Sequence, residues 1–293
     1  MGLIERLASQ SPTKSAEKPA TGPTFALSPE RLRELGVFTC EGASQRQTLE
    51  LRAVKRSLLK RIGRLHGRAA AAGRGRASNL VMTTSTRPGE GKTFTTLNLA
   101  LSFALEDHQP VLLIDGDTMR PKVRGYLDLP VGDGLTECLA DPSMDPREIA
   151  WRAESAPLTV LGEGRRHGGS IELLTGPDAR RFFAKLSADW PDHLILIDAP
   201  PMLATTEAFA LARYVDEVVF IVEADATPEP AVTVALDELV DVNPNTSLVL
   251  NRCLAPGGGS HYGSYEIYER TPSAPAEDTA VEQADAETAR GRS

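Results

Sequence analysis

The chain has 293 residues, 41% of them hydrophobic and 5% aromatic, with 32 Lys and Arg against 40 Asp and Glu for a formal net charge of −8. That length accommodates one large domain with appendages or two small ones, and the composition excludes a disulfide mini-protein and a coiled coil. Cys40, Cys138 and Cys253 are odd in number, far apart and never in a C-x-x-C pair, which argues for reduced thiols in a cytoplasmic setting and against a zinc knuckle.

No stretch approaches the ~18 consecutive apolar residues of a membrane span. The start, MGLIERLASQ, lacks an apolar core region and carries Glu5, so no secretion signal is expected. A membrane role is therefore expected to come through a partner.

Residues 1–27 are rich in Ser, Pro, Thr and Lys without periodicity, which predicts a disordered lead. The next segment, 28–76, is predicted helical. Ser28, Pro29 and Glu30 offer an N-cap, a first-turn proline and an early acid, and Gly36 stands where a C-terminal cap belongs. From Ser44 to His66, Leu49, Leu51, Val54, Leu58, Leu59, Ile62 and Leu65 recur at three- and four-residue spacing, the signature of an amphipathic helix. Its polar face is basic: residues 46–76 hold ten Lys or Arg against Glu50 alone. Such a face suits solvent, anionic lipid, nucleic acid or an acidic neighbouring subunit.

Residues 77–254 read as one α/β domain. Apolar β-branched runs at 79–84, 111–115, 158–161, 194–198, 218–222 and 248–250 alternate with helical patterns at 94–105, 180–186, 206–214 and 231–239. Strands apolar on both faces and alternating with helices predict a mainly parallel central sheet flanked by helices. Residues 255–270 hold a glycine hinge and three tyrosines, and 271–293 form an acidic tail expected to be disordered.

The sharpest chemical signal is Pro88-Gly89-Glu90-Gly91-Lys92-Thr93-Phe94, after a strand and before a helix. Gly-x-Gly-Lys-Thr at such a junction is the core of a phosphate-binding loop, in which glycines let backbone N–H groups close around phosphates and the helix N-terminus adds its positive end. Lys92 is expected to reach the β and γ phosphates and Thr93 to hold Mg²⁺. The full pattern wants Gly where Thr86 stands, so the loop is a deviant one. Asp115 and Asp117 end one buried strand and Asp198 ends another, where open parallel sheets bind ligands.

These pieces resemble the Walker A, A′ and B motifs of bacterial tyrosine autokinases, in the branch of P-loop proteins that includes partition and septum-positioning ATPases. PGEGKTFTTLNLA, IELLTGP, IDAPPMLATTEA and VLNR resemble the subgroup associated with exopolysaccharide loci and exosortase sorting. The resemblance covers residues 44–268. It implies a P-loop NTPase fold, ATP and Mg²⁺ as cofactors, and protein-tyrosine kinase activity. It also implies a homo-oligomer phosphorylating in trans, a membrane-bound polysaccharide chain-length regulator as activator, and placement at the inner membrane through that partner. No sequence-specific nucleic acid is expected. Leu49, Arg52 and Lys55 occupy the family's oligomerisation positions, without its acidic member unless Glu50 substitutes. Arg120 stands third after Asp117, a possible phosphate contact, and Asn251-Arg252 matches the adenine-contacting position.

Tyr262, Tyr265 and Tyr268 fall within seven residues just past the hinge and are the expected phosphoacceptors, as in the family's C-terminal tyrosine cluster. Asp117 is the expected base with Asp115 and Asp198 on the metal, Asp115 and Asp117 being interchangeable in role. The competing reading is a partition-type ATPase whose nucleotide state drives dimerisation on a membrane or DNA surface.

Overall fold

The computed structural model describes residues 21–37, 45–71, 78–165 and 169–253, with the side chains of 45, 66 and 68–71 outside the description. All belong to a compact unit, Met1–Leu254, while Ala255–Ser293 forms a second unit that lies outside the described residues. The hinge, the three candidate phosphoacceptor tyrosines and the acidic tail all fall in that second unit.

Eight strands form one sheet: β1 (Thr24–Phe25), β2 (Leu80–Ser85), β3 (Val111–Asp115), β4 (Trp151–Ala153), β5 (Leu158–Leu161), β6 (Leu194–Asp198), β7 (Glu217–Glu223) and β8 (Thr246–Asn251). Their order is β1-β4-β5-β3-β6-β2-β7-β8, and every pair is parallel except β4 with β5. The helices are α1 (Pro29–Glu34), α2 (Gln45–Ala71), α3 (Lys92–Glu106), α4 (Val123–Leu127), α5 (Leu135–Ala140), α6 (Pro146–Ile149), α7 (Ser170–Thr175), α8 (Pro177–Asp189), α9 (Glu207–Ala212) and α10 (Glu229–Val242), of which α2, α3, α8 and α10 are the long ones.

The central strands are buried on both faces, and their period-two alternation divides the core into two layers. Leu80, Met82, Ile114, Ile195, Ile197 and Phe220 face one way, packing with Phe183, Leu211 and Leu239. Val81, Leu113, Leu196 and Val219 face the other way, with Leu97 and Leu101 of α3 and Leu51, Leu58 and Ile62 of α2. The expected spans of β3, β5 and β6 coincide with those observed, and the other expected strands shift or extend by one or two residues.

The N-terminal segment departs from expectation. Disorder was expected through residue 27, but Thr21 and Gly22 donate backbone hydrogen bonds to the Arg147 carbonyl (2.9 and 2.8 Å) and β1 pairs with β4. A Cβ on Gly22 would collide with the Ala150 carbonyl, and Phe25 enters the core. A two-residue strand anchored by one aromatic has no periodicity to announce it. Ser28 caps α1 as expected, its hydroxyl accepting from the Arg31 N–H (3.2 Å), and Gly36 closes it at φ +68°.

Part of the basic face of α2 is neutralised within the molecule. Lys55 is buried, its ammonium 2.6 Å from Glu106 and 3.0 Å from Asp107. Arg52 reaches Glu106 at 3.1 Å, Arg46 pairs with Glu50, and Arg61 pairs with Glu217 while donating to the Thr246 carbonyl. Arg52 and Lys55, expected at an oligomer contact, thus fasten α2 to the end of α3. Arg56, Lys60 and Arg64 remain exposed.

Candidate active site

The phosphate-binding loop runs from β2 into α3. Gly89 and Gly91 adopt φ of +97° and +93°, and a side chain on Gly91 would also strike the Asn251 amide. These two positions need glycine for conformation, and Gly91 also for space. The loop is tied by side chains of its own protein. Glu90 is buried, one oxygen accepting from the Arg87 N–H (3.0 Å) and the other from the Thr227 hydroxyl (2.6 Å). Asn251, at the end of β8, donates its amide to the Glu90 carbonyl (2.8 Å), so the residue expected at adenine also fixes the loop. Pro88 and Gly89 are exposed, Phe94 packs half-buried against the α2-side core, and Arg252 pairs with Glu223 at 2.7 Å.

The three acidic strand ends converge on the start of α3. Lys92 Nζ lies 2.8 Å from Asp117 Oδ2 and 3.9 Å from Asp198 Oδ2. The Thr93 hydroxyl donates to Asp198 (2.6 Å), and Thr96, one turn on, donates to the other Asp198 oxygen (3.3 Å) and the Lys92 carbonyl. Asp115 is in register with Asp198 on the adjacent strand but turns to its own loop. It accepts from the backbone N–H groups of Asp117 (3.2 Å), Lys122 (3.1 Å) and Val123 (3.0 Å). Asp117 in turn accepts from the Arg120 N–H (2.9 Å), and the Arg120 side chain is exposed.

The electrostatics of this cluster are unbalanced. Burial pushes Asp115 well above the usual carboxylate range and the nearby Asp198 charge adds to the effect. Burial likewise raises Asp198, with Lys92 and Thr93 opposing. For Lys92 burial works against the charge, but Asp198 and Asp117 outweigh it and hold the ammonium above its ordinary value. Three buried carboxylates face one ammonium, with a threonine hydroxyl among them. That surplus of hard, negative oxygen fits Mg²⁺. Among the described residues no group of three or more His, Cys, Asp and Glu is arranged to hold a metal by itself, so phosphate oxygens would complete the shell.

Sequence reading missed the anchoring roles of Thr96, Thr227 and Glu207. Thr96 follows Thr93 at helical spacing and was the one that periodicity offered. Glu207 meets the Thr118 hydroxyl at 3.0 Å across 89 positions, with no local signal.

A parallel sheet ending in buried aspartates around a Gly-Lys-Thr helix start defines a P-loop ATPase with a deviant Walker A loop. The relatives narrow the class: in sequence and fold the chain belongs with the bacterial tyrosine-protein kinases. It is 30% identical over 210 residues to the putative tyrosine-protein kinase EpsB of Ralstonia nicotianae, covering 68% of this chain and 27% of that one. It is 31% identical over 159 residues to the tyrosine-protein kinase YwqD of Bacillus subtilis, covering 54% and 65%. Among solved structures the VpsO kinase domain is 29% identical with a TM-score of 0.55, covering 69% of this chain and 98% of that one. The kinase domain of Escherichia coli ETK shares the fold at a TM-score of 0.62 and 21% identity, covering 82% and 91%. No family model matches the chain. The chain spans about a quarter of EpsB and two thirds of YwqD, the match to EpsB being confined to a portion of that protein.

Proposed function

We propose that the protein is an ATP-dependent protein-tyrosine autokinase that phosphorylates its own C-terminal tyrosines and so regulates exopolysaccharide synthesis or export. The observation that carries this reading is the convergence of Lys92, Asp117, Thr93 and Asp198 within hydrogen-bonding or ion-pair distance at the mouth of the phosphate loop, in a chain similar to tyrosine kinases. Phosphoryl transfer needs positioning and charge neutralisation more than covalent chemistry from the protein. When bound, Mg²⁺ neutralises the β and γ oxygens.

In this scheme Lys92 turns from Asp117 to the phosphates, and Asp117 is left to accept the acceptor tyrosine's proton as the phenolic oxygen bonds to the γ-phosphorus and the bond to ADP breaks. The phenol's ordinary pKa of ~10 is why a base is needed. Thr93 and Asp198 hold the metal side. Asp115, with three backbone donors on its oxygens, supports the loop that carries Asp117. Backbone N–H groups of residues 89–94 bind phosphate, the exposed Arg120, whose backbone is held by Asp117, is a further phosphate contact, and Asn251 with Arg252 borders the base.

Tyr262, Tyr265 and Tyr268 are the assigned acceptors, reached in trans from a neighbouring copy, with a membrane-bound chain-length regulator as activator. No helix among the described residues is long and apolar enough to cross a membrane, which accords with a kinase domain placed at the inner membrane by a partner. The test is purified protein with Mg-ATP, followed by mass spectrometry of the C-terminal peptide. Phosphate on those tyrosines, lost in Lys92→Met, is the expected result; ATP hydrolysis with no phosphotyrosine would return the chain to the partition-type reading.

A further inference from the structure

Glu207 is a fully buried carboxyl group near the end of the IDAPPMLATTEA stretch, and the transfer scheme gives it no role. It opens α9, nine residues beyond Asp198, and its Oε1 accepts a hydrogen bond from the Thr118 hydroxyl (3.0 Å). Its second oxygen has no hydrogen-bond partner among the buried side-chain atoms. A carboxyl group at a helix start ordinarily sits in water, where it is stabilised by the helix dipole at no cost of burial. Here burial raises its pKa, with the Thr118 hydroxyl opposing. An acid kept in such a place, with one oxygen on a neighbouring loop, performs some task there.

The loop it touches carries Asp117. Between β3 and α4 the 116–122 loop is held by Asp115 at its backbone and by the Gly116 N–H donating to the Asp198 carbonyl (2.8 Å). Asp117 is further held by its contact with Lys92. That last tie must break whenever Lys92 turns to phosphate. Thr118, the very next residue, remains tied to Glu207.

We propose that Glu207 is a positioning residue for phosphoryl transfer: through the Thr118 hydroxyl it keeps the 116–122 loop in place when Lys92 lets go, so that the Asp117 carboxylate stays at the reacting end of α3. This rests on the kinase reading for its chemistry, though not for the geometry of the loop. Glu207 touches neither nucleotide nor metal, so its loss should move the chemical step and leave binding alone.

The experiment compares full-length Glu207→Ala, Glu207→Gln, Thr118→Val and the Ala/Val double variant. Three quantities are read: hydrogen–deuterium exchange of the peptide spanning 116–122 with and without Mg-ATP, Mg-ATP affinity by calorimetry, and the single-turnover rate of tyrosine phosphorylation. Glu207→Ala and Thr118→Val are each expected to speed exchange in that peptide and to slow transfer by about 10- to 100-fold, with affinity within about twofold. The double variant should be no worse than either single. Glu207→Gln, whose amide oxygen still accepts from Thr118, should be close to the parent in all three.

Parent-like exchange in both single variants overturns the proposal, as does a loss of affinity with the transfer rate unchanged. So does Gln behaving as badly as Ala while Thr118→Val is normal, since that would assign Glu207 to packing alone. If Glu207→Ala does not fold, Thr118→Val, an isosteric change, decides by the same measures. Should the parent label no tyrosine, the kinase reading fails on its own. The exchange data and the rate of ATP hydrolysis would then still decide whether Glu207 holds the loop.

Discussion

The two ends of the sheet use buried polar groups in opposite ways. At the N-terminal end the asparagines are matched by main-chain carbonyls: Asn79 donates to the Trp190 and His193 carbonyls (2.8 and 3.0 Å) and accepts from Ser187 (2.6 Å). Asn243 donates to the carbonyls of Ala212 and Val215, both at 3.0 Å, and the single buried acid there, Glu217, is paired with Arg61. At the C-terminal end Asp115, Asp117 and Asp198 gather around Lys92, and the buried Glu207 holds Thr118 beside them. The first arrangement joins elements with neutral hydrogen bonds and one ion pair and leaves no net charge. The second holds back negative charge for something that arrives later. A stability pole and a ligand pole therefore share the same strands, and mutations at the two poles should separate folding from binding.

The largest effect is expected at the ligand pole. Lys92→Met should lower phosphotyrosine formation by about 100- to 1000-fold, the usual cost of losing one group aimed at transition-state charge, while circular dichroism shows the fold intact. Quantitative mass spectrometry of the tail checks it, and labelling retained at the parent rate would remove Lys92 from the site.

Asp115 and Asp198 sharpen the comparison, because they are register partners with the same burial and different neighbours. Asp115→Ala orphans three backbone donors and should cost about 3 kcal/mol of stability in urea unfolding. Asp198→Asn keeps an oxygen for Thr93 and removes a buried charge, so stability should hold or rise while Mg-ATP affinity drops by roughly tenfold. Calorimetry and unfolding on both variants check the pair; identical behaviour would erase the distinction between them.

At the other pole Asn79→Ala should cost about 2–3 kcal/mol and leave Mg-ATP affinity untouched. A change in affinity from that site would show that the poles are not separable.

How much of this was legible depends on where the determining contacts lie along the chain. β3 and β6 are apolar on both faces, so their ends are marked by the first charge, Asp115 or Asp198, and their spans could be read directly. The phosphate loop was legible because glycine, lysine and threonine do their work within seven residues. The short elements were not: β1 exists only through its pairing with β4, β4 is three residues held between β1 and β5, and α4 to α7 are too brief to show a helical period. The pairing of part of the basic face of α2 was hidden for a related reason. Charge counting sees ten cations but not Glu106, Asp107 and Glu217, which arrive from other elements to meet Lys55, Arg52 and Arg61. In the site, Asp115 and Asp117 were visible as a pair, yet their division of labour is set by which way each side chain turns after the strand ends. Glu207 was present in the sequence as one more acid in a helical stretch.

The smallest predicted effect tests the matched pole through pH. Glu217 is buried, which raises its pKa above the ordinary value, and Arg61 opposes that rise. An acid whose folded pKa is raised binds its proton more tightly in the native state than in the unfolded one. Its contribution to stability is therefore complete below the unfolded value of ~4.3 and is lost as pH climbs through the folded one. Removing Arg61 takes away the opposing charge, so the folded pKa moves further up and the loss extends to higher pH. Arg61→Ala should accordingly be nearly harmless at pH 5 and cost about 1–3 kcal/mol at pH 8, toward the lower end because Arg61 itself is about one-third exposed. Adding Glu217→Gln to Arg61→Ala should flatten that dependence, since no titrating group is left at the site. Urea unfolding of the three proteins at both pH values measures it. A cost for Arg61→Ala that is equal at pH 5 and pH 8, or one that persists with its slope in the double variant, would mean that the pair is not what holds α2 to this end of the sheet.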